Sequence, residues 1–163
     1  MESVTRTEKL LIVEDDAALR DQLKWAFDGH EVVFAENRVQ AIAAVRLHEP
    51  QVVLQDLGLP PDAEGATEGF ATRSQILELA PATKVIVVTG NHDRDRAVKA
   101  VAMGALDFYE KPVDIEVLRL IVGRAFHIAR LEDEVARLRR REARRLAHRL
   151  LRPDPYVNAC ITD

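Results

Sequence analysis

Five short apolar runs, each closed by polar or turn residues, restrict what this chain of 163 residues can become. They lie at 9–13, 31–35, 52–55, 84–89 and 106–109. Runs of this length, rich in Val, Leu and Ile, read as buried strands. The intervals carry helical spacing instead. Residues 16–27 place apolar side chains at 19, 23, 26 and 27, with Asp16 as N-cap. Asn37 caps a second helix with Val39, Ala41, Ile42 and Val45 inward, and Glu49-Pro50 ends it. Residues 69–79 form a third helix around Phe70, Ile76 and Leu77. Residues 93–103 form a fourth with Val98, Val101 and Ala102 inward and Gly104 as C-cap. A fifth starts at Asp114, with Val117, Leu118, Ile121, Val122, Ala125 and Ile128 as its apolar positions. Strands alternating with helices predict an α/β fold: a parallel sheet, doubly wound, with helices on both faces. Right-handed crossovers then bring all the strand C-termini to one edge.

That edge collects chemistry. Glu14, Asp15 and Asp16 follow the first run, Asp56 the third, Thr89 ends the fourth, and Lys111 follows the fifth. Ligands of open parallel sheets bind beyond the strand C-termini. Clustered carboxylates repel one another unless a cation sits among them, and an all-oxygen set with room for water suits Mg²⁺. Such an ion makes sense beside a phosphoryl group, whose transfer is mostly positioning and charge neutralisation. Lys111 can neutralise a phosphate oxygen and the Thr89 hydroxyl can donate to another. Asp56 is the carboxylate central enough to act as nucleophile and form an aspartyl phosphate.

As a set, Glu14-Asp15-Asp16, Asp56 with Leu57-Gly58-Leu59-Pro60, Thr89-Gly90 and Lys111-Pro112 resemble a response-regulator receiver domain of two-component signalling, over about residues 8–128. The resemblance extends to the receivers of sigma-54-dependent transcription activators. It implies a flavodoxin-like sheet of order 2-1-3-4-5 and a phosphoacceptor signalling protein rather than an enzyme. Asp56 would take a phosphoryl group from a sensor histidine kinase. Asp15, Asp16, Asp56 and the backbone carbonyl of Gly58 would hold Mg²⁺, with Glu14 only adding negative potential. Thr89 would sense the phosphoryl group, Lys111 would pair with it, and the Lys111–Pro112 bond would be cis. Phe108 matches the switch aromatic, and Gly58 and Asn91 the positions that tune phosphoryl lifetime. The output surface would be the fourth helix, fifth strand and fifth helix, controlling an output such as transcription. One departure is a long loop at 61–69, with acids at 62, 64 and 68 that read as solvated. A phosphohydrolase with an aspartate nucleophile is excluded, because it needs a second aspartate at position 58, which is Gly.

The charge is divided unevenly. Residues 130–152 hold nine arginines against Glu132, Asp133, Glu134 and Glu142, about +5, so the net −4 leaves about −9 elsewhere. No strong helix breaker occurs between Asp114 and Pro153, so an unbroken helix would run roughly 57 Å at ~1.5 Å per residue. Leu131, Val135 and Leu138 have coiled-coil spacing. The expected organisation is a receiver at 1–128, a basic coiled-coil-like helix at 129–152 and a tail at 153–163. The helix reads first as a homodimerising element together with the end of the receiver, and second as a nucleic-acid-binding stripe. DNA would otherwise be reached only through a separate output domain; no Walker-type loop follows. The alternative function is a phosphorylation-independent interaction module built on this helix. The five histidines show no ligand spacing, Trp25 reads as partly buried, and the single Cys160 excludes an internal disulfide. No run is long enough to span a bilayer and the N-terminus lacks a signal core, which fits a cytoplasmic protein with no membrane partner.

Overall fold

The computed structural model describes residues 6–62, 65–90 and 94–152. Asn91, His92, Glu64 and the tail at 153–163, with Cys160, lie outside the described residues. Two compact units are distinguished, Met1–Ala129 and Arg130–Asp163. The first contains β1 (Lys9–Val13), α1 (Ala17–Ala26), β2 (Glu31–Ala35), α2 (Arg38–His48), β3 (Val52–Asp56), α3 (Thr67–Leu79), β4 (Lys84–Thr89), α4 (Arg94–Ala102) and β5 (Asp107–Glu110). It also contains the start of α5 (Ile115–Leu150).

The sheet is parallel throughout, in the order β2-β1-β3-β4-β5. Alternate strand residues feed two separate cores, as the two-residue period requires. Leu11, Val13, Val53, Val85 and Val87 pack with Ala41, Ile42 and Val45 of α2, Ile76 of α3 and Ala100 of α4. Leu10, Ile12, Val52, Leu54, Ile86 and Val88 pack with Leu23 and Ala26 of α1, the adjacent Phe27, and Leu118, Val122, Ala125 and Phe126 of α5. Burial on both faces explains why these strands read as unbroken apolar runs.

Several inward positions differ from those expected. Ala97 and Ala100 are buried in α4, while Val98 and Val101 are 53% and 37% exposed and Ala102 is also exposed. Small residues allow α4 to lie close to the sheet, so its larger apolar side chains face outward. Val39 and Trp25 are 79% and 77% exposed, and Val117 is 43% exposed. Phe126 is buried, whereas Ile128 is only partly covered. The Phe126 ring stacks on His30 at 4.7 Å between centroids, and His30 Nε2 lies 3.2 Å from Glu8 Oε2.

α4 ends in a Schellman motif. Gly104 takes φ +110°, its N–H donates to Val101, and Ala105 N–H donates back to Ala100. The same Ala100 carbonyl accepts from Arg73 Nη1 at 2.9 Å. Arg73 is 1% exposed on α3, and burial lowers its pKa from the ordinary guanidinium value. A cation at helix C-terminal carbonyls is favourably placed against the helix dipole. The guanidinium and Lys99 Nζ also sit 5.9 and 5.0 Å from the Phe70 ring centroid.

Two glycines make opposite demands. A Cβ on Gly69 would lie 2.4 Å from the Leu57 carbonyl oxygen and 2.6 Å from its Cα. Both are backbone atoms, so α3 can approach the end of β3 only with glycine there. Gln55 Nε2 uses that approach to donate to the Gly69 carbonyl at 2.6 Å. Gly123 in α5 is exposed and a Cβ would meet nothing. Gly69→Ala is expected to lower stability by about 1–3 kcal/mol through overpacking. Gly123→Ala is expected to raise it by roughly 0.5–1 kcal/mol. Urea unfolding midpoints of the two variants check both signs.

Candidate functional site

β1 and β3 pair in register from Leu10↔Val52 to Val13↔Gln55. One further step along that register aligns Glu14 with Asp56. Glu14 stays in line with the sheet, its N–H donating to the Ala35 carbonyl at 2.9 Å, and it is 3% exposed. Asp56 ends β3 at 7% exposure. Its Oδ1 accepts from Gly58 N–H at 3.0 Å and its Oδ2 from Lys111 Nζ at 3.0 Å. Lys111 Nζ also lies 3.5 Å from Glu14 Oε2, so one ammonium bridges both buried carboxylates. The Lys111–Pro112 peptide bond is cis, as is Pro60–Pro61.

Thr89 is the last residue of β4, directly after Val88, which pairs with Asp56. Its carbonyl accepts from Lys111 N–H at 2.8 Å, which draws the loop after β5 onto this edge. The Thr89 hydroxyl is buried and has no hydrogen-bond partner among the described residues. Phe108, on β5 opposite Val87, packs partly buried against the core on the α2–α4 side. Tyr109 packs on the other side, and its hydroxyl accepts from Asp114 N–H at 2.6 Å at the start of α5.

The three acids after β1 part ways. Glu14 Oε1 accepts from Asp16 N–H at 3.1 Å and points with the sheet edge. Asp16 Oδ1 accepts from Ala18 and Leu19 N–H at 2.9 and 3.2 Å, capping α1. The carboxylates that offer ligand oxygens within 4.8 Å of one another are Glu14, Asp15 and Asp56. Asp16 is not among them. The expected metal set of Asp15, Asp16, Asp56 and the Gly58 carbonyl differs from this cluster, which has Glu14 where that set has Asp16. An acid one residue beyond the strand stays in register, and the acid two further on turns into the N-cap. Arg20 secures the turn, with Nη1 donating to the Glu14 carbonyl at 2.9 Å and Nη2 pairing with Glu36 at 2.8 Å.

The site has a charge excess. Two buried carboxylates share one ammonium with Asp15 close by, and the Glu14 pKa is raised from 4.5 to about 7. Burial is the largest cause, followed by the Asp56 charge; the Asp16 N–H and Lys111 oppose them. For Lys111 burial works against the charge, but Asp56 and Glu14 outweigh it and the pKa rises. A hard, doubly charged cation fits this all-oxygen donor set and would relieve the repulsion.

A family model, the response regulator receiver domain, matches residues 10–123. The chain belongs to this family. Among curated proteins, the receiver resembles the regulatory protein AtoC of Escherichia coli (31% identity over 137 residues, 83% of this chain and 29% of that protein). It is also similar to the DNA-binding transcriptional regulator NtrC of Salmonella typhimurium (34% over 116 residues, 70% of this chain and 24% of that protein). The chain thus spans less than a third of the length of these relatives. Among solved structures, NtrX from Brucella abortus in complex with ADP aligns over 82% of this chain and 30% of its own, at TM-score 0.74 and 30% identity. The receiver domain of a LuxO-type repressor from Vibrio parahaemolyticus aligns over 80% of this chain and 98% of its own, at TM-score 0.72 and 29% identity. The five-stranded parallel order and the long C-terminal helix are those of the receiver fold.

The raised Glu14 pKa sets a pH dependence. The folded state holds a proton that the unfolded chain releases above about pH 4.5, so this group's contribution is full below that pH and is lost as pH rises through about 7. Without divalent cations, stability is expected to rise by up to a few kcal/mol from pH 7.5 to 5, since each pH unit between the two pKa values is worth ~1.4 kcal/mol. Glu14→Gln should flatten this rise and stabilise the protein at neutral pH. Denaturant midpoints across that range test it.

Proposed function

We propose that this receiver accepts a phosphoryl group on Asp56 from a sensor histidine kinase and passes the event to an output through its C-terminal half. The observation that carries this reading is the Asp56 Oδ2–Lys111 Nζ contact of 3.0 Å inside a cluster of three carboxylates. An Asp56 oxygen attacks phosphorus. The bond from phosphorus to the donor's nitrogen breaks, the nitrogen keeps the electron pair, and an acyl phosphate forms.

Glu14, Asp15 and Asp56 would hold Mg²⁺, with the Gly58 carbonyl as a further ligand. The ion would supply charge neutralisation for the phosphoryl oxygens. Gly58 N–H and Lys111 orient the two Asp56 oxygens before reaction. Lys111 then pairs with the phosphoryl group. The partnerless Thr89 hydroxyl supplies a donor to it. Thr89 moving toward the phosphoryl group lets Phe108 follow, and the face made by α4, β5 and α5 changes with them. Val98, Val101 and Leu120 are exposed on those helices and suit a surface that changes partners.

The second half of this reading assigns residues 1–128 to the receiver and 129–152 to a coupling helix. Leu131, Val135 and Leu138, each about half exposed, would pair two copies as a coiled coil. The similarity to transcriptional regulators supports control of transcription through a DNA-binding output domain, and with it a cytoplasmic location. Among the described residues no helix is long and apolar enough to cross a membrane.

Acetyl phosphate with Mg²⁺ is expected to phosphorylate the wild-type chain. Asp56→Asn should take up nothing, and Lys111→Ala should be labelled far more slowly. Mobility on a phosphate-affinity gel reads the result; equal labelling of Asp56→Asn would overturn the assignment. Light scattering should give a dimer that Leu131→Ser with Val135→Ser converts to monomer.

A further inference from the structure

We propose that the arginine-dense part of α5, residues 137–152, is a binding site for the phosphate backbone of duplex nucleic acid. It holds eight arginines and no lysine, with Glu142 as its one acid, so it carries +7 with its histidine neutral. Every residue in it is exposed, and residues up to Leu150 are helical. The charge is therefore presented on a formed helix rather than a coil.

Projected at 3.6 residues per turn, Arg137, Arg140, Arg141, Arg144, Arg145 and Arg149 fall within about half the circumference. Ala143, Leu146, Ala147 and Leu150 fall opposite, interrupted by Arg139. The pairs Arg137/Arg141, Arg140/Arg144, Arg141/Arg145 and Arg145/Arg149 are four apart, where like charges destabilise a helix. Arg137 has a partner, Glu134 Oε1 at 2.7 Å. Arg141 also feels the Glu134 charge, whereas Arg139, Arg140, Arg144, Arg145, Arg149 and Arg152 have no ion-pair partner among the described residues. A helix made soluble by surface charge mixes both signs along i, i+4 rows. This one concentrates repulsion, which a polyanion relieves.

The residue type and dimensions favour a nucleic acid over a membrane. Guanidinium groups offer paired donors that match phosphate, where lysine offers a point charge. A helix about 10–12 Å across is close to the ~12 Å width of the DNA major groove. Helices that lie in a bilayer interface need a continuous apolar face, commonly with Trp or Phe. Here that face is half alanine, contains Arg139 and borders Glu142, and has no aromatic residue. The site depends on no phosphorylation step, so it stands or falls separately from the role of Asp56.

The test uses the full chain and a fluorescent duplex of mixed sequence, read by anisotropy, with anionic phosphatidylserine vesicles as the competing surface. Binding is expected at about 50 mM salt, weakening about tenfold per doubling of salt if ~4 phosphates are neutralised. Substituting Gln for Arg140, Arg141, Arg144 and Arg145 together should weaken binding by at least about tenfold, while Lys at the same positions should retain most of it and Asp56→Asn all of it. The Gln and Lys variants should keep wild-type helix content, since these side chains are exposed. No duplex binding at low salt, binding unchanged by the Gln variant, or capture by vesicles with the duplex ignored would each overturn the proposal.

Discussion

One ammonium group, Lys111 Nζ, sits between two buried carboxylates, 3.0 Å from Asp56 and 3.5 Å from Glu14. Coulomb attraction at that range is strengthened by the burial of both carboxylates, while the Lys111 side chain stays 30% exposed. The same burial makes the second negative charge expensive. Asp15 adds a third carboxylate at the rim. Lys111 offsets the two buried carboxylates from one side, and negative charge outweighs positive at this edge. Much of the edge around it serves to hold that imbalance in place. Gly58 N–H fixes one Asp56 oxygen, Asp16 N–H fixes one Glu14 oxygen, and Arg20 ties down the turn between them. A divalent cation is the addition that this shortage of positive charge would favour.

The rest of the fold positions these groups through strand ends. Because all five strands are parallel and β1, β3 and β4 are in register, their last residues arrive side by side. Gly69 allows α3 to press against the Leu57 backbone just after Asp56. Arg73 anchors α3 to the end of α4 through Ala100. The site and the exposed face of α4 are thus joined by a short chain of packed and hydrogen-bonded elements.

The strands were legible because burial on both faces leaves unbroken apolar runs, and their ends fell within a residue or two of those expected. Helix faces were less legible where size and position conflict. In α4 the valines draw attention, yet alanines face inward because the helix lies close to the sheet. In α5 the buried register runs through Phe126. Arg73 carries no local signal: a charge in the middle of a helix reads as solvated, and only the fold supplies the Ala100 carbonyl that accepts from it. Among Glu14, Asp15 and Asp16 the residue types are nearly equivalent. What separates them is pairing register, since Val13↔Gln55 carries Glu14 to Asp56 and leaves Asp16 to cap α1. Counting strand ends against each other carries this register information, whereas motif matching alone does not.

The central claim is that Glu14, not Asp16, completes the cation site with Asp15 and Asp56. Isothermal titration of Mg²⁺ into Glu14→Gln and Asp16→Asn tests it most directly. Asparagine caps a helix as well as aspartate does, so Asp16→Asn preserves α1. The expected result is near-wild-type affinity for Asp16→Asn and a loss of roughly tenfold or more, about 1.4 kcal/mol, for Glu14→Gln. Unchanged binding in Glu14→Gln with a large loss in Asp16→Asn would contradict the account.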